Sequence, residues 1–224
     1  MRVKGVIDSL NFSSYNLEEL FKSEEKYTIE TVKGIGVFQK KRWVEAFKKP
    51  LTRNIIEAKI LHTITGLEIP LKRYAPTPDK QILEFAGLHG YNEKSRLLSE
   101  VLQSIKRDIQ NETITRIDVA IDFKAGIPSK VIKKLCKDRT PFNWHNSTYL
   151  KTKSEKKRNY KINILLYPKH KKENLTYELE RLEFSFGSGY FEGCYKIKDL
   201  EIVCKKMEKT IKRFTGLEVL IKPL

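Results

Sequence analysis

Thr115-Arg116-Ile117-Asp118-Val119-Ala120-Ile121-Asp122-Phe123 is the stretch on which the fold turns. It is rich in β-branched residues and alternates with period two, which predicts a strand. Ile117, Val119, Ile121 and Phe123 fall on one face. Arg116, Asp118, Ala120 and Asp122 fall on the other, because successive side chains of a strand alternate. Two pleats separate the two carboxylates, so Asp118 and Asp122 share a face. An edge strand with its polar side in water is the plain alternative. Two later strands repeat the design.

One is Tyr160-Lys161-Ile162-Asn163-Ile164-Leu165-Leu166-Tyr167-Pro168-Lys169, with Tyr160, Ile162, Ile164 and Leu166 on one face and Lys161, Asn163, Leu165, Tyr167 and Lys169 on the other. Pro168 marks its end. The other is Tyr177 to Phe186, with Leu182, Phe184 and Phe186 on the apolar side and Arg181, Glu183 and Ser185 on the polar side. If the three strands are neighbours, Asp118, Asp122, Tyr167, Lys169, Arg181 and Glu183 gather on one sheet face.

Around these strands the pattern alternates between sheet and helix. Residues 2–12 predict a first strand, 16–23 a helix and 27–32 a strand, while 55–65 fit either period poorly. Pro70, Pro76 and Pro78 predict a loop. Gln81 to Gly87 predicts a strand, and Leu97, Leu98, Val101, Leu102 and Ile105 stripe a helix over about 93–109. Pro128 suits the start of another helix, with Val131, Ile132 and Leu135 inward. Residues 140–146 look irregular. A last helix over 197–214 and a short strand over 218–221 close the chain. The economical architecture is α+β: a mostly antiparallel central sheet with helices packed on one face and the other face open. We read residues 1–224 as one domain, with no internal repeat and no low-complexity linker.

The chain has 224 residues, 44 of them basic and 28 acidic, for a net charge of +16. Such a charge predicts a polyanionic partner, nucleic acid first and an anionic membrane surface second. No apolar run is long enough for a membrane helix, and the first residues lack a signal-peptide core. Cys136, Cys194 and Cys204 have no CxxC spacing and predict reduced thiols in a cytoplasmic protein. Scattered histidines give no support to histidine metal chemistry.

Two basic stretches are candidate DNA contacts. Lys40, Lys41, Arg42 and Trp43 lie in the first, where basic and aromatic residues interleave as phosphate contact and base stacking require. A solvated surface over core aromatics explains that segment equally. Lys151, Lys153, Lys156, Lys157, Arg158 and Lys161 lie in the second, flanked by strand patterns, and predict a hairpin tip or loop that reaches for phosphates. A merely solvated hairpin is its alternative.

The polar face has a chemistry of its own. Asp118, Asp122 and Glu183 offer oxygen ligands to Mg2+ or Mn2+, with Asp8 a further candidate. Tyr167 can attack phosphorus, and Lys169 or Arg181 can stabilise the added negative charge. Tyr167 is preferred to Tyr160, which falls on the apolar face. A strand-end tyrosine with a wet hydroxyl and a cross-strand Arg181–Glu183 pair are the ordinary alternatives.

The order of motifs resembles the replication initiation factor family, the rolling-circle plasmid and phage initiators and the relaxases of conjugative elements. The resemblance runs over residues 5–190 and leaves 191–224 as a C-terminal helix and short strand. It rests on Val6-Ile7-Asp8-Ser9-Leu10-Asn11-Phe12, on Ile82-Leu83-Glu84-Phe85-Ala86-Gly87-Leu88-His89-Gly90 and on the hallmark Thr115 to Asp122. It continues through Thr148-Tyr149-Leu150, the basic loop, Tyr167-Pro168-Lys169 and Arg181-Leu182-Glu183. The chain departs from the family pattern at Leu150 and Lys151, where a Gly is usual, and at Pro168, where an acid is usual. The resemblance implies a metal-dependent strand-nicking and strand-transfer enzyme. Its partners would be origin or transfer DNA and a helicase, and its intermediate a 5′-phosphotyrosine with a free 3′-hydroxyl. A non-catalytic nucleic-acid-binding protein and a metal nuclease that uses water are the alternatives.

Overall fold

The computed structural model describes residues 1–15, 21, 27–35, 55–74, 77–152 and 162–224. These form eleven strands and five helices, an α+β fold of mostly antiparallel pairing. The chain divides into two compact units, Asn11–Phe85 and Met1–Leu10 with Ala86–Leu224. Strand β1 (Arg2–Ser14) begins in the larger unit and ends in the smaller.

The smaller unit is a meander. β2 (Tyr27–Ile35), β3 (Ile55–His62), β4 (Leu67–Tyr74) and β5 (Thr77–Ala86) pair antiparallel in sequence order, and the end of β1 follows β5. Ile60, Ile69, Leu71, Leu83 and Phe85 are fully buried, and the rings of Phe12 and Phe85 stack 6.1 Å apart. The ambiguous run at 55–65 is thus strand, ended by a turn in which Gly66 takes φ +67° and donates to the His62 carbonyl at 2.9 Å. The expected proline loop is corrected at two positions. Pro70 lies inside β4, opposite Lys59, and Pro78 lies inside β5. A proline removes one donor, but its fixed φ suits extended backbone, so strand ends and irregular pairings accept it. The β4–β5 register does shift between Arg73 and Tyr74. The predicted helix over 16–23 lies outside the described residues except Phe21.

The larger unit holds β6 (Thr113–Phe123), β7 (Arg139–Trp144), β8 (Ser147–Thr152), β9 (Ile162–Pro168), β10 (Glu180–Phe186) and β11 (Glu218–Lys222). The strand order is β1-β6-β10-β9-β8-β7, with β11 parallel to β1 from Arg2↔Glu218 to Val6↔Lys222. Gly5 sits in that seam, where a Cβ would come within 2.7 Å of the Val219 side chain. Helices are α1 (Glu93–Ile105), α2 (Ser129–Cys136), α3 (Lys169–Glu173), α4 (Ser188–Phe191) and α5 (Leu200–Thr215). Ile117, Val119 and Ile121 of β6, Leu182, Phe184 and Phe186 of β10, and Val203, Met207 and Ile211 of α5 form its core, all fully buried.

Three expectations change here. α1 ends at Ile105, four residues early, and turns carry the chain on to β6. Residues 139–144 are strand β7, paired with β8 from Arg139↔Thr152 to Trp144↔Ser147. Pro141 hides that strand from period-two reasoning. Lys169 begins α3 and does not continue β9. Among the described residues no helix is long and apolar enough to cross a membrane, and the three cysteines are free.

Candidate functional site

The polar face forms because β10 lies between β6 and β9. Arg181 stands opposite Asp122 on one side and Tyr167 on the other. One row along, Glu183 stands between Ala120 and Leu165, and Leu165 pairs onward with Tyr149 of β8. The next row is Asp118, Ser185 and Asn163. Residues paired across a sheet share a face, so the neighbourhood inferred from alternation is present.

Arg181 is the hub and has no solvent exposure. Its Nε and Nη2 donate to Asp122 Oδ1 and Oδ2 at 2.6 and 2.8 Å. Its Nη1 donates to Asp8 Oδ1 at 2.9 Å, and Nη2 also donates to the His89 carbonyl at 3.1 Å. A guanidinium presents planar forked donors, so it can meet one carboxylate with two parallel bonds and keep a third donor for another. Burial alone lowers the Arg181 pKa, but the Asp122 hydrogen bonds and the Asp8 charge more than reverse it, and the net direction is up. For Asp122, burial pushes the carboxyl up, and the bonds and charge of Arg181 with the Tyr91 hydrogen bond bring it below the usual range.

The turn after β5 closes this hub. Gly87 and Leu88 donate their backbone N–H groups to the Asp8 carbonyl at 2.8 and 2.7 Å, and His89 N–H donates to Asp8 Oδ1 at 3.3 Å. Tyr91 Oη donates to Asp122 Oδ2 at 2.9 Å, and burial with that bond pushes its phenol up to about 12. His89 Nε2 lies 4.0 Å from Asp122 Oδ2, while burial and Arg181 hold the imidazole below its ordinary value.

Tyr167 Oη donates to Glu183 Oε2 at 3.0 Å. Burial and the charge of Glu183 push the phenol up. Burial, then Asp118 and Asp8, push the Glu183 carboxyl up too. Tyr149 is raised by burial and by the same carboxylate. Lys172, exposed on α3, holds its Nζ 5.2 Å from the centre of the Tyr167 ring. Asp118 is engaged separately, by Arg116 Nε and Nη2 at 2.8 and 2.7 Å.

The structure therefore brings Asp122, Arg181, Tyr167 and Glu183 together with Asp8, and it commits Lys169 to Glu173. Lys169 is buried and donates to Glu173 Oε1 at 2.7 Å, while Asn92 Nδ2 donates to Glu173 Oε2 at 2.9 Å. Asp118 and Arg181 are buried, which removes the wet edge strand as an explanation. Lys40, Lys41, Arg42, Trp43, Lys153, Lys156, Lys157, Arg158, Lys161 and Tyr160 lie outside the described residues. The backbone of Lys151 is in β8.

The donor set does not fit a divalent cation as it stands. Arg116 holds both oxygens of Asp118 and Arg181 both oxygens of Asp122, and Tyr167 donates to Glu183. Among the described residues no three His, Cys, Asp or Glu side chains are grouped to hold a metal ion.

Sequence reasoning assigned no role to His89, Tyr91, Tyr149, Arg116 or Lys172. Arg116 had a usable signal, since an i, i+2 Arg–Asp pair shares a strand face. Tyr91 and His89 had only their place in a glycine turn.

No protein-family profile matches the chain, and no curated protein does. Among solved structures, a rolling circle replication initiator protein from Geobacillus stearothermophilus is similar with a TM-score of 0.44 at 13% identity, over 95% of this chain and 85% of that one. The Methanococcus jannaschii TBP is similar with a TM-score of 0.29 at 13% identity, over 95% of this chain and 99% of that one. At these scores neither neighbour fixes the fold or function of this chain.

Proposed function

We propose that this chain binds DNA and cuts one strand with Tyr167, as a rolling-circle initiator does. The observation that carries the reading is the Tyr167–Glu183 hydrogen bond of 3.0 Å beside the buried Arg181. A phenol is a poor nucleophile until a base takes its proton. Glu183 is in reach, and its raised proton affinity makes it a better base than an ordinary carboxylate. In the step envisaged, Tyr167 Oη bonds to phosphorus as its proton passes to Glu183. The P–O3′ bond breaks, and the departing 3′-oxygen takes a proton from solvent to become the free hydroxyl. The 5′-phosphate stays on the tyrosine. Lys172, exposed with its Nζ 5.2 Å from the ring centre, would attract the phosphate beside the buried Arg181. The net charge of +16 supplies the attraction for DNA.

A second reading has its own observation. Tyr167 is only 7% exposed, as a core tyrosine satisfied by a buried carboxylate would be. On that reading the chain binds nucleic acid without cutting it.

One experiment separates them. The chain is incubated with supercoiled plasmid carrying the DNA that flanks its own coding sequence, in Mg2+, Mn2+ or chelator. A covalent protein–DNA adduct on a denaturing gel, lost in Tyr167→Phe and kept in Tyr160→Phe, is the expected result. Nicking without adduct would point to water as the nucleophile. Binding without nicking in every condition would leave only the second reading.

A further inference from the structure

Helices α2 and α5 present basic residues on their outer faces. On α2 the outward positions Lys130, Lys133, Lys134 and, just past its end, Lys137 are exposed, and the helix contains no acid. On α5 Lys205, Lys209 and Arg213 are exposed, as is Lys212, which bonds Glu218 Oε1 at 2.7 Å. Its two acids are Glu201 at the first turn and Glu208, whose carboxylate accepts from the Ile221 N–H at 2.7 Å. The two helices meet: a Cβ on Gly216, at the end of α5, would lie 3.4 Å from Lys134 Nζ. Arg213 and the buried Arg139 both lie against the Phe214 ring, 5.1 and 4.9 Å from its centre.

Helix α1 shows what an ordinary solvated helix of this chain looks like. There Arg96 bonds Glu100 at 2.8 Å and Glu93 at 3.4 Å, so its charges alternate and pair. On α2, Lys130 stands three and four residues from Lys133 and Lys134, and Lys133 four from Lys137. On α5, Lys205, Lys209 and Arg213 stand four apart. Each like-charged pair at that spacing destabilises a helix by a few tenths of a kcal/mol. Lys133, Lys134, Lys212 and Arg213 lie in last turns, where the helix dipole favours cations, so it is Lys130 at the start of α2 and Lys209 in the middle of α5 that helix stability does not account for.

We propose that the outer face of α2 and α5 is a docking surface for the phosphate backbone of duplex DNA, separate from the Tyr167 cluster. Lys205 to Arg213 spans about 12 Å of helix. Over that length a duplex carries about seven phosphate charges. A membrane surface fits less well. Interfacial helices bury a continuous apolar face in lipid, whereas Val131, Leu135, Val203, Met207 and Ile211 are already buried in the core, with only Ile132 and Ile202 exposed beside the lysines. The surface needs DNA as the partner but does not need strand cutting, and none of its residues belongs to the Tyr167 cluster.

The test is fluorescence anisotropy of the full chain on a labelled 30-base-pair duplex of arbitrary sequence, from 50 to 300 mM NaCl. The variant Lys130→Ala/Lys133→Ala/Lys205→Ala/Lys209→Ala should bind at least tenfold more weakly at 100 mM, with its log K against log[salt] slope shallower by three to four. Lys94→Ala, at an exposed lysine of α1 outside this surface, should stay within one of the parent slope. If the quadruple variant loses its circular dichroism signal, Lys133→Glu/Lys209→Glu is measured in its place and should show the same fall. A slope within one of the parent's overturns the surface, as does a parent that does not bind the duplex. Retention on phosphatidylserine vesicles that the variant loses, with duplex binding unchanged, overturns it in favour of a membrane. Absence of a covalent adduct bears only on Tyr167 and leaves this result standing.

Discussion

Arg181 has no solvent exposure and makes four hydrogen bonds to three partners, while the lysines of α2 stand exposed on a helix without an acid. Both regions are rich in charge, and they obey different physics. A buried cation is tolerable only when each donor is met, because desolvation of an unmatched charge amounts to several kcal/mol. Exposed lysines are screened by water and salt, so a one-signed array is only mildly unfavourable. Substitutions in the cluster should therefore register in stability and pH response, and substitutions on the helical face in salt-dependent binding.

The largest effect should come from Arg181→Met. It strands Asp122 and Asp8 in a buried site without their cation. Removing one partner of such an arrangement costs about 3–5 kcal/mol, and urea denaturation should show that loss. Arg181→Lys should rescue little, since a single ammonium cannot span Asp122, Asp8 and the His89 carbonyl as the forked guanidinium does. A variant within 1 kcal/mol of the parent would mean that the cluster is wet in solution.

The two carboxylates of the cluster should respond to pH in opposite directions. Asp122 lies below its ordinary value of 3.8 in the folded chain. Its contribution to stability is complete above that value and is lost as pH falls through it towards the folded pKa. Glu183 lies above its ordinary value of 4.5. The folded chain binds its proton more tightly, so that contribution is complete below 4.5 and lost as pH rises through the folded pKa. Glu183→Gln still offers Tyr167 an acceptor. It should be more stable than the parent at pH 7 and level with it at pH 4, by urea midpoint. Asp122→Asn should be less stable than the parent at pH 7, with the gap closing towards pH 3. A Glu183→Gln variant weaker at pH 7 would mean that the carboxylate is needed ionised, and would bring it closer to a catalytic base already charged at rest.

Period-two alternation gave the faces correctly. Asp118, Asp122, Tyr167, Arg181 and Glu183 share one side because alternation is a local property that any short window of sequence contains. The pairing that makes a site of them is not local. Asp8 and Arg181 are 173 residues apart, and nothing in either neighbourhood specifies the other. The parallel β11–β1 seam is hidden for the same reason, with Gly5 its only local mark. Pro70, Pro78 and Pro141 misled in the same way, because a proline marks a break from its own backbone while its tolerance depends on where the neighbouring strand needs a donor. Lys169 was placed on the strand face by parity, and parity ends where Pro168 ends the strand.

Asn92 links the two ways of handling charge, since it caps a helix with paired surface charges and also touches a buried ion pair. Its Oδ1 accepts from the Ser95 N–H at 3.0 Å, and its Nδ2 donates to Glu173, the partner of Lys169. Loss of such a cap costs about 1 kcal/mol. Asn92→Ala should lose that and somewhat more through Glu173, which corresponds to a fall of about 2–6 °C in Tm for a chain of this size. Asn92→Asp keeps the cap but sets a second carboxylate against Glu173. If it matches the parent, the Glu173 contact contributes nothing.

The smallest effect should have the opposite sign. Lys130→Glu places an acid in the first turn of α2, three and four residues before Lys133 and Lys134, so like-charged pairs become attractive ones and the helix dipole favours the change. Each such pair is worth about 0.2–0.5 kcal/mol, and the Glu-before-Lys order is the favourable one. The variant should be slightly more stable than the parent, by roughly 1–3 °C in Tm, while its affinity for duplex DNA falls. A gain in stability with a loss of binding is what distinguishes a face kept basic for a partner from one that is basic for solubility alone. A solubility face would give up the lysine with no loss of binding, and a lysine held by the core would make the variant less stable. Only the docking surface predicts that the two measurements move apart.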